Sequence, residues 1–234
     1  MSTNPRREIQ EKIEEGDLRW LLLKTGELHG HFCPFVALGV KASVIAIRRL
    51  RAFTEGIDED ILAIVETNNC FADGVQMTTG CTFGNNALIF RDVGKTAMTL
   101  ASRGGKGIRV SVRPGYPEAM TADNPEARDL FERFIQRREK GTPEEMQRLK
   151  DVWEALSFAQ LEVPDEKQFK VEEVTVTLPG HAPIHPSLVC AACGEAFMET
   201  RGRLKNGKIV CLVCAKDDHY ILDGKGIHME GGYK

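Results

Sequence analysis

Ile61-Leu-Ala-Ile-Val65-Glu66-Thr-Asn-Asn-Cys70-Phe-Ala-Asp73-Gly-Val-Gln76-Met-Thr-Thr-Gly80-Cys81 opens as an apolar run and becomes a dense mixture of thiols, a carboxylate, amides and glycines. The run Ile61 to Glu66 predicts a short strand that delivers the chain into a site-like segment. That segment is poor core material, because cysteine ligates metals or attacks electrophiles and glycine lets backbone approach a ligand closely. Asp73 to Thr79 predicts a short helix beginning near Asp73 and ending at Gly80.

Upstream, residues 5 to 28 read as helical with an interruption at Gly16-Asp17 and a stop near Gly30. Pro34 starts a second helix running to about Phe53, almost wholly apolar from Val36 to Ile47 and so expected at the centre of the core. Downstream, Ala87 to Arg91 and Thr96 to Ser102 flank Asp92-Val93-Gly94-Lys95 and predict a hairpin. A strand from Ile108 to Arg113 follows the glycine cluster at 104 to 107, which lacks phosphate-loop spacing and reads as a turn. Asn124-Pro125 and Thr142-Pro143 each open a helix, to about Lys140 and Gln160, expected to form a helical hairpin against the sheet or a partner subunit. Phe169 to Leu178 alternates as a strand with one wet face.

The 234 residues and a 42% hydrophobic, 28% charged composition fit one sizeable core and a small second domain. A net charge of -3 gives no electrostatic reason to expect nucleic acid or membrane as the main partner. No apolar run approaches the roughly 20 residues of a spanning helix, and the start shows no secretory pattern. Seven cysteines, four of them in C-x-x-C pairs, favour metal binding in a reducing cytoplasm over a disulfide framework.

Cys190-x-x-Cys193 and Cys211-x-x-Cys214 are separated by 17 residues, within the spacing of four-cysteine zinc sites. Pro179 to Pro186 is a linker by composition, so the expected organisation is an α+β core over residues 1–180 and a zinc finger over 181–234. Between the pairs, Ala196 to Thr200 and Lys208 to Val210 predict a hairpin around Asn206-Gly207. A short helix after Cys211 would complete a treble clef, with a structural zinc replacing the core that so short a domain cannot build. His219 and His228 read as surface residues. Arg201, Arg203, Lys205 and Lys208 are offset by nearby acids, which favours protein contact over nucleic acid.

With those cysteines assigned, Cys33, Cys70 and Cys81 remain. If 29 to 33 are extended, His29, His31 and Cys33 share one face; if a helix starts at Pro34, its dipole favours a Cys33 thiolate. The expected site is a two-walled cleft in which Cys70 and Asp73 meet His31 and Cys33, with His29, Gln76 and Cys81 in secondary roles. Such residues suit a second transition metal with an open position, or a thiolate nucleophile paired with histidine. They equally suit a purely structural reading, with small buried thiols and hydrogen-bonded histidines.

His29-Gly-His-x-Cys-Pro34, the Ala37-Leu-Gly39 that follows, and Glu66-Thr-x-x-Cys-x-x-Asp-Gly-Val-Gln-x-x-Thr-Gly-Cys-Thr-x-Gly-Asn85 resemble the FmdE family, named for a component of formylmethanofuran dehydrogenase. The resemblance covers about residues 17 to 113. It implies an α+β core, a homodimer, a cleft built from the two motifs, and association with a molybdenum or tungsten enzyme that fixes carbon dioxide onto methanofuran. The layout of core plus zinc finger leaves two expectations open: an accessory subunit or stand-alone one-carbon enzyme, and a non-catalytic adaptor that binds a partner through its finger.

Overall fold

In a computed structural model, which describes residues 4–53, 60–122 and 124–231, the break at Gly16-Asp17 divides two helices. Helix α1 (Arg7–Glu15) ends on Gly16 at φ +81°, and Asp17 then caps α2 (Leu18–His29) by accepting from the Trp20 backbone N–H. Gly30, at φ +85°, closes α2. Pro34 opens α3 (Pro34–Leu50), where its missing N–H costs nothing. Twelve of the 17 residues of α3 are buried, which explains why its sequence shows almost no polar stripe.

Strand β1 (Ile61–Val65) leads into α4 (Cys70–Thr79), and β2 (Leu88–Phe90), β3 (Ala97–Ser102) and β4 (Lys106–Val112) follow. Next come the short α5 (Tyr116–Ala119), then α6 (Pro125–Leu130), which continues as a π-helical segment Phe131–Gln136. Helix α7 (Pro143–Glu162) begins with a capping box between Thr142 and Glu145. After the short α8 (Asp165–Gln168), β5 (Phe169–Thr175) completes the sheet, whose order is β2-β1-β3-β4-β5.

The sheet corrects one expectation. β2 and β3 are not hairpin partners: β1 lies between them, parallel to β2 and antiparallel to β3. The segment Asp92 to Lys95 therefore steps over the end of β1, held by Arg91 N–H to Val65 O and Lys95 N–H to Glu66 O, both 2.9 Å. The tight hairpin lies instead between β3 and β4, across the glycines at 104 and 105, so that cluster is a turn.

Helix α3 is the axis of this unit. Its flanks pack on α2, α4, α7 and the sheet strands β3 and β4. Glycines permit the closest of these contacts: a Cβ on Gly39 would stand 2.2 Å from Phe71 O, and one on Gly74 would stand 2.5 Å from Val36 O. Backbone therefore meets backbone where α3 crosses α4. The helical pair at 125–162 builds its own apolar cluster around Leu130, Phe134, Leu149 and Val152, and α7 rests on α3. Buried Lys41 of α3 fastens that end of α7, donating to Gln160 O (3.1 Å), Val163 O (2.6 Å) and Gln168 Oε1 (2.6 Å).

The chain divides into two compact units after Pro179. In the second, β6 (Ser187–Val189) pairs with β7 (Ala196–Met198), and β8 (Gly202–Lys205) pairs with β9 (Lys208–Cys211) through Asn206-Gly207. The expected turn is present, but its first strand is Gly202–Lys205 and not Ala196 to Thr200. Helix α9 (Leu212–Ala215) is a single turn, and β10 (His219–Asp223) and β11 (Gly226–Glu230) form a further hairpin beyond those expected. No helix among the described residues is long and apolar enough to cross a membrane.

Candidate metal centres

The core cluster is assembled by three helix ends. His29 is the last residue of α2, Cys33 is the N-cap of α3, and Cys70 opens α4, whose N-cap Asn69 accepts from the Phe71 N–H at 2.9 Å. Because α3 and α4 touch backbone to backbone near their starts, both thiols lie at converging helix N-termini, where the dipoles favour thiolate. The residues from 29 to 33 are not one extended segment: Gly30 turns the chain through a left-handed conformation and brings His31 back over His29, ring centroids 4.3 Å apart.

One ligand atom from each of His29, His31, Cys33 and Cys70 lies within 4.8 Å of all the others. Ligands about 2.0–2.3 Å from a zinc stand roughly 3.3–3.8 Å apart across a tetrahedron, so small side-chain movements suffice. His29 is directed toward this space by Asp73. Its Nδ1 lies 2.7 Å from Asp73 Oδ2, and since a carboxylate only accepts, Nδ1 donates. Its Nε2 is buried without a hydrogen-bond partner among the described residues. A carboxylate behind a histidine whose other nitrogen is unsatisfied is the arrangement that orients a metal ligand. Gln76 Nε2 donates to Asp73 Oδ1 at 3.0 Å and holds the carboxylate in turn.

The Cys33 thiol donates a hydrogen bond to Cys70. Cys70 is held down to about 6, first by the hydrogen bond from Cys33 and further by His29, against the cost of burial. Cys33 is pushed up by the same hydrogen bond and by burial. Of the two thiols, Cys70 is therefore the one more readily ionised.

The expected two walls meet, with shifted membership. His31, Cys33 and Cys70 come together, and His29, given a secondary role from sequence, joins them as a fourth donor. Asp73 stands one layer back on His29. Cys81 lies apart: it is fully buried, its Sγ faces Ile61 O at 3.7 Å, and burial pushes its thiol up. The helix starting at Cys70 was detectable, since Asn69 is a strong N-cap residue.

In the C-terminal unit, Cys190, Cys193, Cys211 and Cys214 form a second tetrad with sulfurs within the same 4.8 Å limit. Backbone N–H groups of Ala192 and Cys211 point at Cys190 Sγ, at 3.4 and 3.3 Å. N–H donors from Cys193 and Cys211 hold the Cys190 thiol down to about 6. Four soft donors with no open position define a closed structural zinc site.

Fold and donor sets together define a metal-binding α+β protein with a four-cysteine zinc finger appended. The family described as "FmdE, Molybdenum formylmethanofuran dehydrogenase operon" matches residues 28–170, and the chain belongs to it. The "Prokaryotic dksA/traR C4-type zinc finger" matches residues 185–218. An Archaeoglobus fulgidus protein named "Probable S-adenosyl-L-methionine-binding protein" is 46% identical over 223 residues, covering 94% of this chain and 58% of that protein. The chain thus spans little more than half the length of that relative. A crystal structure of a tungsten formylmethanofuran dehydrogenase FmdE-like protein from Syntrophus aciditrophicus has a similar fold. Its TM-score is 0.52 at 24% identity, over 85% of this chain and 91% of that one.

Proposed function

We propose that this FmdE-family protein binds two metals, a structural zinc at Cys190, Cys193, Cys211 and Cys214 and a second transition metal at His29, His31, Cys33 and Cys70. The observation that carries the second site is His29 Nε2, buried with no hydrogen-bond partner among the described residues and lying beside three further N/S donors, with Nδ1 fixed on Asp73. Two imidazoles and two thiols suit zinc, which would supply Lewis acidity there. His31 is the exposed member of the four, so it is the ligand a substrate would displace. In this reading the cluster serves one-carbon chemistry, as an accessory subunit of a molybdenum or tungsten formylmethanofuran dehydrogenase or as a stand-alone homodimeric enzyme. S-adenosyl-L-methionine, named for the Archaeoglobus relative, is not assigned to this cluster, because much of that relative has no counterpart in this chain.

Metal analysis of purified protein tests the proposal. Two metals per chain are expected, with one lost in Cys33→Ser or His29→Ala and the other in Cys190→Ser. A single metal that survives Cys33→Ser would leave only the structural zinc.

A second reading, an adaptor that binds a partner through its C-terminal unit, is favoured by a different observation. Tyr220, Leu222, Ile227 and Met229 occupy one face of the β10–β11 hairpin, paired 220 with 229 and 222 with 227, and all are exposed. Replacing Tyr220 and Ile227 by Ser would abolish co-purification of native partners while leaving both metals in place if this reading holds.

A further inference from the structure

A cavity of about 600 Å³ opens beside the C-terminal half of α3. Cys33 precedes Ile45 of this wall by 12 positions, roughly 18 Å along a helix rising about 1.5 Å per residue, so the cavity is separate from the core cluster. Its volume lies in the range of small-molecule sites. Val44, Ile45 and Phe169 give its lining an apolar part, and Lys41, Arg48, Arg49 and Arg113 line it together with Asp165 and Glu166.

The cations differ in what they have left to offer. Lys41 is consumed: its three donors go to Gln160 O, Val163 O and Gln168 Oε1, and Asp165 stands 3.2 Å away. Arg48 and Arg113 are anchored by backbone carbonyls and not by carboxylates. Arg48 donates from Nε and Nη2 to Ile13 O at 3.1 and 2.7 Å, and Arg113 donates from Nε to Glu166 O at 2.7 Å. Nη2 of Arg48 also donates to Glu14 O at 3.1 Å, so those contacts occupy its Nε–Nη2 edge at the end of α1 and leave Nη1 of Arg48 and both Nη groups of Arg113 without a hydrogen-bond partner among the described residues. Arg49 makes no ion pair among the described residues. Three guanidinium charges therefore face one cavity in a protein whose net charge is -3. Pre-set guanidinium groups bind carboxylates and phosphates through paired N–H donors, and an apolar lining rewards a ligand with a nonpolar body.

We infer that this cavity binds a small organic polyanion, with its carboxylate or phosphate groups on Arg48, Arg49 and Arg113 and its apolar body on Val44, Ile45 and Phe169. The site does not depend on the core metal, and Cys33→Ser leaves it intact.

Isothermal titration of the zinc-loaded full chain tests this with two probes: trimellitate, a benzene ring bearing carboxylates, and inorganic pyrophosphate. Saturable binding is expected for at least one, and the stronger of the two separates carboxylate from phosphate recognition. Arg49→Glu should weaken it by about tenfold or more, as should Arg113→Gln, and added salt should weaken it in the wild type. Arg49→Glu is the deciding variant, because no hydrogen bond or ion pair among the described residues rests on that side chain; its circular dichroism and melting temperature should match wild type. Absence of saturable binding at millimolar probe, or equal affinity in Arg49→Glu, overturns the inference. So does sedimentation showing a wild-type dimer that Arg49→Glu dissociates, which would make the cavity a contact between copies.

Discussion

In the core unit, His29, Cys33 and Cys70 sit on the ends of three helices that are buried against one another and against a five-stranded sheet. In the C-terminal unit, Cys190 and Cys193 sit in the turn between β6 and β7, Cys211 ends β9 and Cys214 lies on one turn of helix, and its large apolar side chains, from Val189 to Met229, are mostly exposed. The donor sets look alike, yet their relation to the fold is opposite. In the first, packing brings the donors together whether or not an ion is bound. In the second, where Cys190 and Val210 are the only buried apolar residues among those described, the ion must supply what the core does not.

Loss of a ligand from the C-terminal tetrad should unfold that unit and spare the core. Structural zinc in isolated fingers is worth about 10–16 kcal/mol in apparent binding free energy. Cys211→Ser should therefore abolish amide protection across residues 187–215 in hydrogen exchange, while β1, β3 and α3 keep theirs. Loss of protection in both units would show that the core also leans on that ion.

The reverse perturbation is Gly74→Ala. A Cβ there meets Val36 O at 2.5 Å and Val40 N at 2.7 Å, both backbone atoms that cannot rotate away. The expected cost is about 3 kcal/mol, read as a fall of about 6–12 °C in the melting temperature of the core, with the four-cysteine zinc retained.

Asp73→Asn sharpens the contrast inside the core site. It preserves shape but removes the negative charge behind His29 and leaves one acceptor oxygen where Asp73 serves both His29 and Gln76 with two, so affinity for a metal at the core cluster should fall about 10- to 100-fold, with the fold unchanged by circular dichroism. The smallest effect is expected for Asn69→Ala, which removes the cap of α4 and should cost about 1 kcal/mol in chemical denaturation. An Asn69→Ser variant should recover most of it.

Much of this was legible in the sequence because single residues carried it. Gly16-Asp17, Gly30 and Pro34 punctuate the first three helices by fixing local dihedrals, and the paired C-x-x-C motifs carry their own spacing. What was not legible depended on partners distant in sequence. Nothing local tells β2 to pair with β1 rather than with β3, because a three-residue strand contributes little preference of its own. The same holds for β9, which pairs with Gly202–Lys205 and not with the preceding Ala196 to Thr200, although the latter has the stronger strand pattern in sequence. The Gly39–Gly74 crossing was invisible too, since a glycine inside a helix reads only as a weak spot until its neighbour is known. The ranking of His29 over Asp73 rests on the contact between His29 Nδ1 and Asp73 Oδ2 across 44 residues, which no local pattern encodes.

The crossing of α3 and α4 also bears on which ions the core cluster would tolerate. Contacts made of backbone atoms have no alternative rotamers, so the jaw that sets the distance between Cys33 and Cys70 is stiff. His31, on a short exposed link after Gly30, is the compliant side. A larger ion such as cadmium would then be accommodated by displacement of the His31 imidazole while the two thiols hold their separation. The histidine resonances of a substituted protein would report the size of the ion, and those of the residues lining the helix crossing would stay where they are.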